Sequence, residues 1–168
     1  MMITSQAQAL DLLDDGRERA ALREAAIRYL KAYPTSTVIA RLVQALQDDD
    51  VGVRWEASTV LAQLGEIALP EVLRALTDPK RVGDPRLRDS AYHILHSNQA
   101  VVPVRIIDLL EALRGPAADI ASLVEANRVL RELRQQQSVK SPVPVKPEAT
   151  GLAQLTGRLT RLRIRRLG

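Results

Sequence analysis

Apolar positions recur with a helical period over most of the chain. In residues 48–65, DDDVGVRWEASTVLAQLG, three acids precede the apolar series Val53, Ala57, Leu61 and Leu64. At about 100° per residue this series falls on one side of a helix. The acids suit the positive start of that helix, and Gly65 suits its C-terminal stop. With Ala57 taken as the inward direction, Val53, Leu61 and Leu64 lie within about 40° of it, while Trp55 and Thr59 point nearly opposite.

The same pattern returns along the chain. Arg23/Ala26/Leu30, Arg54/Ala57/Leu61 and Arg88/Ala91/Leu95 share the form Arg-x-x-Ala-x-x-x-Leu, and Leu123/Ala126/Leu130 is a drifted copy. The alanines are 31, 34 and 35 residues apart, a spacing that suits a two-helix repeat. A shorter apolar helix precedes each. Its tag is Ala45-Leu46-Gln47-Asp48, Ala75-Leu76-Thr77-Asp78 or Ala112-Leu113-Arg114-Gly115, with Ala9-Leu10 the weakest version. A helix with one apolar face cannot bury that face alone, so the copies must stack. The expectation is all-α: a short α-solenoid of about four antiparallel helix pairs.

Breaker residues set the boundaries. The first pair is expected over residues 5–14 and 17–32, with Gly16 between the helices and Pro34 after them. Thr35 or Ser36 caps the next helix, which runs to Gln47. The third pair begins near Pro70 and has a longer turn over residues 78–84. The fourth is expected to start around Asn98, with Pro103 early in its first helix and Gly115-Pro116 before a long helix ending near Gln137. Three prolines and no helical period make residues 138–150 a linker. In residues 151–168, Leu152, Leu155, Leu159 and Leu162 keep helical spacing among Arg158, Arg161, Arg163, Arg165 and Arg166. The chain therefore divides into a repeat domain over 1–137, a linker over 138–150 and a basic amphipathic tail over 151–168.

Composition sharpens this. There is no Phe, one Trp and three Tyr, so the core must be built from Leu, Ala, Val and Ile, and the first two are strong helix formers. Absence of Cys excludes disulfides, thiolate ligands and a Cys nucleophile. The net charge of +4 conceals an asymmetry: residues 1–137 hold 17 basic and 19 acidic groups, residues 138–168 hold 7 and 1. The basic character belongs to the tail, so the overall pI says little about the body. The start shows no basic leader or signal-length apolar run, and no apolar stretch approaches bilayer length, so a soluble, cytoplasmic protein is expected.

The run Ala45-Leu46, Asp48, Asp50, Val53-Arg54, Ala57, Leu61 and Leu64-Gly65 resembles HEAT-like repeats, specifically the short bacterial type called phycobilisome-lyase repeats. Asp84, Leu87-Arg88, Ala91 and Leu95 continue the likeness, which spans about residues 5–137. The resemblance implies a right-handed solenoid with the second helix of each pair on its concave side. It also implies that Arg54 and Arg88 pair with turn acids such as Asp48 or Asp78 to tie repeats together.

Helical arithmetic then names a row for that side: Glu24, Arg28 and Lys31; Trp55, Thr59 and Ala62; Asp89, His93 and His96; Val124, Arg128 and Arg131. Trp55 stands out with two readings open: an exposed Trp in a groove is the kind of residue that anchors a partner, and the alternative is a ring that leans sideways to pack on a neighbouring repeat. His93 and His96, with Asp89 one turn earlier, have a spacing a metal could use, but no further ligand is evident. No phosphate loop, nucleophile elbow or zinc-protease motif is present. The His-Glu dyads of related di-iron hydroxylases are absent, no residue marks a tetrapyrrole site, and one Trp is thin support for a glycosylase face. The expectation is a non-enzymatic module, without metal or cofactor, that binds a protein or peptide partner through Arg28, Lys31, Trp55, Thr59, Asp89, His93, His96, Arg128 and Arg131. The alternatives are an accessory subunit handling a prosthetic group, and nucleic-acid or anionic-membrane association through the tail arginines.

Overall fold

The computed structural model describes residues 2–16, 18–100, 102 and 104–140, and these are all-helical. The helices are α1 (Gln6–Asp14), α2 (Ala20–Leu30), α3 (Ser36–Ala45), α4 (Val51–Leu64), α5 (Leu69–Thr77), α6 (Pro85–Ser97), α7 (Ile107–Arg114) and α8 (Ala118–Lys140). A 3-10 turn, Gly65–Ile67, joins α4 to α5. Among the described residues no helix is long and apolar enough to cross a membrane. The rest of 138–150 and the tail residues Arg158, Arg161, Arg163, Arg165 and Arg166 lie outside the described residues.

Side chains set the helix starts. Ser5 caps α1 by accepting from the Gln8 N–H, and Thr35 caps α3 by accepting from Val38. Asp50 and Asp84 do the same for α4 and α6, each accepting from two backbone N–H groups. These donors have no partner inside their own helix. At the far end of α4, Gly65 turns the chain with φ +58° and ψ −128°, a backbone that side-chain-bearing residues rarely adopt.

Two layers result. Helices α1, α3 and α5 lie side by side, α2, α4 and α6 lie side by side, and each first helix packs on its second. Between the layers sit Ile27, Leu30, Leu42, Leu61, Leu73 and Leu95, all fully buried. An aliphatic core of this kind is what a chain without Phe must build.

The fourth pair departs from that register. Its helix α7 packs on α8 and, among the earlier helices, on α6, while α8 packs on α5 as well as on α7. The order of the pair across the layers is exchanged: α8 extends the first-helix layer and α7 the second. The cause lies in residues 98–106. No helix starts at Asn98; instead its buried amide donates to Ala62 O and Ile94 O, both at 2.9 Å, closing the ends of α4 and α6 together. Beyond it the described residues form no helix until α7 begins at Ile107, and Val104 and Ile106 are buried.

The polar joints between repeats also differ from expectation. Arg23, in α2, meets the Asp48 carboxylate side-on, Nε to Oδ2 at 3.0 Å and Nη2 to Oδ1 at 2.9 Å. Among the described residues Arg54 meets no carboxylate; its Nη1 donates to the carbonyls of Asp48 at 2.7 Å and Asp49 at 2.9 Å. Arg88 reaches Asp119 at the start of α8, not Asp78. Between the second and third pairs, Gln47 donates to Asp84 and Arg86 pairs with Asp49 at 2.7 Å. With Asp48 occupied by the preceding repeat's arginine, the nearest acceptors left to Arg54 are backbone carbonyls.

Asp84 gives this joint a pH dependence. Burial pushes its carboxyl up, but hydrogen bonds from the Gln47 side chain and from the Arg86 and Leu87 N–H groups outweigh that and hold its pKa below the ordinary value. A carboxyl lowered on folding contributes stability above its unfolded pKa of about 3.9 and loses it as the pH falls through the lower folded value. Asp84→Asn should therefore be less stable than the native chain at neutral pH, with the gap narrowing below about pH 4. Chemical unfolding from neutral to acid pH measures this; a constant gap across that range would refute it.

Candidate functional site

Helix α4 shows two faces. Val53, Ala57 and Leu61 are fully buried as the period demands, while Trp55 on the opposite side is 60% exposed. Ser58 and Val60 are buried too, because α4 is held by α2, α6 and α3 at once. Thr59 is half-buried, and its hydroxyl has no hydrogen-bond partner among the described residues. Trp55 leans toward α6, where its ring meets that of His93 with centroids 4.8 Å apart.

This contact forms the wall of a notch of about 400 Å³ between α4 and α6. Val51, Trp55, Pro85 and His93 supply apolar and aromatic surface, Arg54 and Arg86 supply cations, and Asp89 stands among them. Three residues expected on one row thus come together: Trp55, Asp89 and His93. His96 does not join them. Its ring stacks on Tyr92 at 5.6 Å, and Arg114 of α7 covers the Tyr92 ring at 3.9 Å. Among the described residues no group of three His, Asp or Glu side chains is arranged to hold a metal ion.

Six helices, α1 to α6, stack in two layers by a repeated pair, and a family model of HEAT repeats matches residues 7–95, the same six helices. The chain belongs to the HEAT-repeat family. The match is to HEAT repeats as such and does not extend to the phycobilisome-lyase type. It ends at Leu95, just before the HEAT register is broken by Asn98 and the exchanged fourth pair. No curated protein and no solved structure matches the chain.

Elsewhere on the HEAT surface the expected arginines are engaged with their neighbours. Arg28 lies 3.0 Å from Glu56 and 3.6 Å from Glu24, and Lys31 is exposed at the end of α2. Because α8 belongs to the other layer, Val124, Arg128 and Arg131 do not continue the row set by α2, α4 and α6. Arg128 binds Glu125 and Glu132, both at 2.7 Å, and Asp108 at 3.4 Å; the hydrogen bonds it donates to Glu125 first, then to Glu132, push its pKa further up. Arg131 donates to the Asn127 carbonyl.

A larger depression, about 510 Å³, lies at the turn ends of the first three repeats. Its charged groups already have partners: Arg41 pairs with Asp14 at 3.0 Å, Arg81 with Asp78 at 3.4 Å and Asp48 with Arg23, while Asp84 accepts a hydrogen bond from the neutral Gln47 amide. The α4–α6 notch differs in having an exposed Trp and an arginine, Arg54, with no carboxylate within ion-pair distance among the described residues. Sequence reasoning found Trp55, Asp89 and His93 there but missed Arg86. Its signal, an Asp-Pro-Arg at a helix start, has no counterpart in the other repeats.

Proposed function

We propose that this HEAT-repeat chain is a non-enzymatic interaction module that takes a protein or peptide partner along its second-helix face, with Trp55 as the anchor. The observation that carries the reading is the position of Trp55: the chain's one Trp is 60% exposed, yet its ring is oriented by His93 at the wall of a notch. A large ring held in place but left in water loses little conformational freedom on binding and has much apolar area still to bury. Asp89 and His93 line the same notch; Thr59 and His96 lie further along α4 and α6, and Arg28 and Lys31 at the end of α2, as peripheral contacts.

Arg128 and Arg131 do not strengthen the nucleic-acid alternative. A phosphate at Arg128 would have to displace three carboxylates that already hold it. The test of the anchor reading is Trp55→Ala. Loss of the ring contact should cost about 1 kcal/mol of stability or less, while partner binding should be lost. A large fall in thermal stability with binding intact would make Trp55 a packing residue and overturn the proposal.

A further inference from the structure

Resting on the reading of Trp55 as the anchor, we infer that the α4–α6 notch selects an acidic peptide: one carrying a carboxylate beside a large aliphatic or aromatic side chain. The apolar side chain lies on Trp55, Val51 and Pro85. The carboxylate meets Arg54 and Arg86.

The cations are placed for it. Arg54 spends only Nη1 on the Asp48 and Asp49 carbonyls, so its Nε and Nη2 donors and its charge have no counterpart among the described residues. The guanidinium is pinned by neutral acceptors and still positive, the arrangement that favours a bidentate incoming carboxylate. Arg86 uses Nη1 on Asp49, whose side chain is 94% exposed. A pair that wet is weak, and a carboxylate brought in by a buried apolar contact competes with it. Asp89, toward the His93 end, sets direction by repelling acid there. The same charges disfavour the chain's own tail as the occupant, since residues 138–168 hold 7 basic groups against 1 acidic.

Trp55 is the sole Trp, so its fluorescence reports on the notch directly. The full chain is titrated with Trp-free peptides of equal length: a Leu-centred acidic peptide, its Gln-substituted neutral version, and a synthetic copy of residues 151–168 as the basic probe. The acidic peptide should bind about tenfold more tightly than the neutral one, the scale of one charged hydrogen-bonded contact. Arg54→Gln and Arg86→Gln should each remove most of that preference, Asp89→Asn should strengthen binding, and salt near 0.3 M should weaken it, as expected with a Debye length of only about 5 Å. Arg86 is surface-exposed, so its variant keeps the test valid if Arg54→Gln unfolds. Equal or tighter binding of the neutral or basic peptide, still abolished by Trp55→Ala, overturns the charge selectivity and leaves the anchor. No response to any of the peptides overturns both.

Discussion

Asp48→Ala should lower stability by about 3–5 kcal/mol, the loss expected from removing one member of a buried ion pair. The Arg23 and Asp48 side chains are only 8% and 15% exposed. Arg23 donates to both Asp48 oxygens and to the Glu18 carbonyl, and Asp48 also accepts from the Asp50 N–H at 2.8 Å. The one carboxylate thus closes the turn before α4 and fastens α2 to it. Without Asp48 the guanidinium keeps a single carbonyl in a site that water enters poorly, and the turn loses the acceptor that shapes it. Asp48→Asn should fall in between, since it keeps an acceptor for Asp50 but not the charge. Urea unfolding near neutral pH measures both. The paired change Arg23→Met with Asp48→Leu separates the terms: it removes charge and counter-charge together and should recover much of the loss. A cost under about 1 kcal/mol for Asp48→Ala would place this joint with ordinary surface pairs.

The helical period made the layers legible because in a stacked helix pair burial follows the angle around the helix. Val53, Ala57 and Leu61 inside and Trp55 outside are consequences of 100° per residue, and nothing else about the fold is needed to place them. Ser58 and Val60 were not legible, since their burial depends on how many neighbours α4 has. Partner choice among charges was less legible still. Arg23, Arg54 and Arg88 occupy equivalent positions in the repeat, yet one meets a turn carboxylate, one meets carbonyls and one meets the start of α8. Which acceptor is free depends on the preceding repeat, and that information is not local. Asn98 misled for a similar reason. An Asn before an apolar run reads as a helix start, but this one closes the two helices behind it. The fourth pair then begins late and in exchanged order. The notch combines both kinds of signal: Trp55, Asp89 and His93 were read from angle, whereas Arg86 enters only because α6 starts beside the turn that precedes α4.

Leu61→Ala and Trp55→Ala, six residues apart on α4, should have opposite consequences. Leu61 is fully buried between the layers, and truncating it removes apolar contact and leaves a cavity that rigid neighbouring helices cannot close, costing about 2–5 kcal/mol. In a domain of this size each kcal/mol corresponds to about 2–4 °C in Tm, so the shift is large enough to read from a thermal melt. The folded fraction of the Leu61 variant should nevertheless bind peptide with nearly native affinity, because the notch faces away from the cavity. Trp55→Ala should instead leave the melt close to native and lose about 2–4 kcal/mol of binding, the range of a central aromatic anchor. Measuring melt and affinity on both proteins separates packing from recognition on a single helix. If the two variants lose stability and affinity in the same proportion, the two faces of α4 do not have separate duties, and the anchor role of Trp55 fails with that distinction.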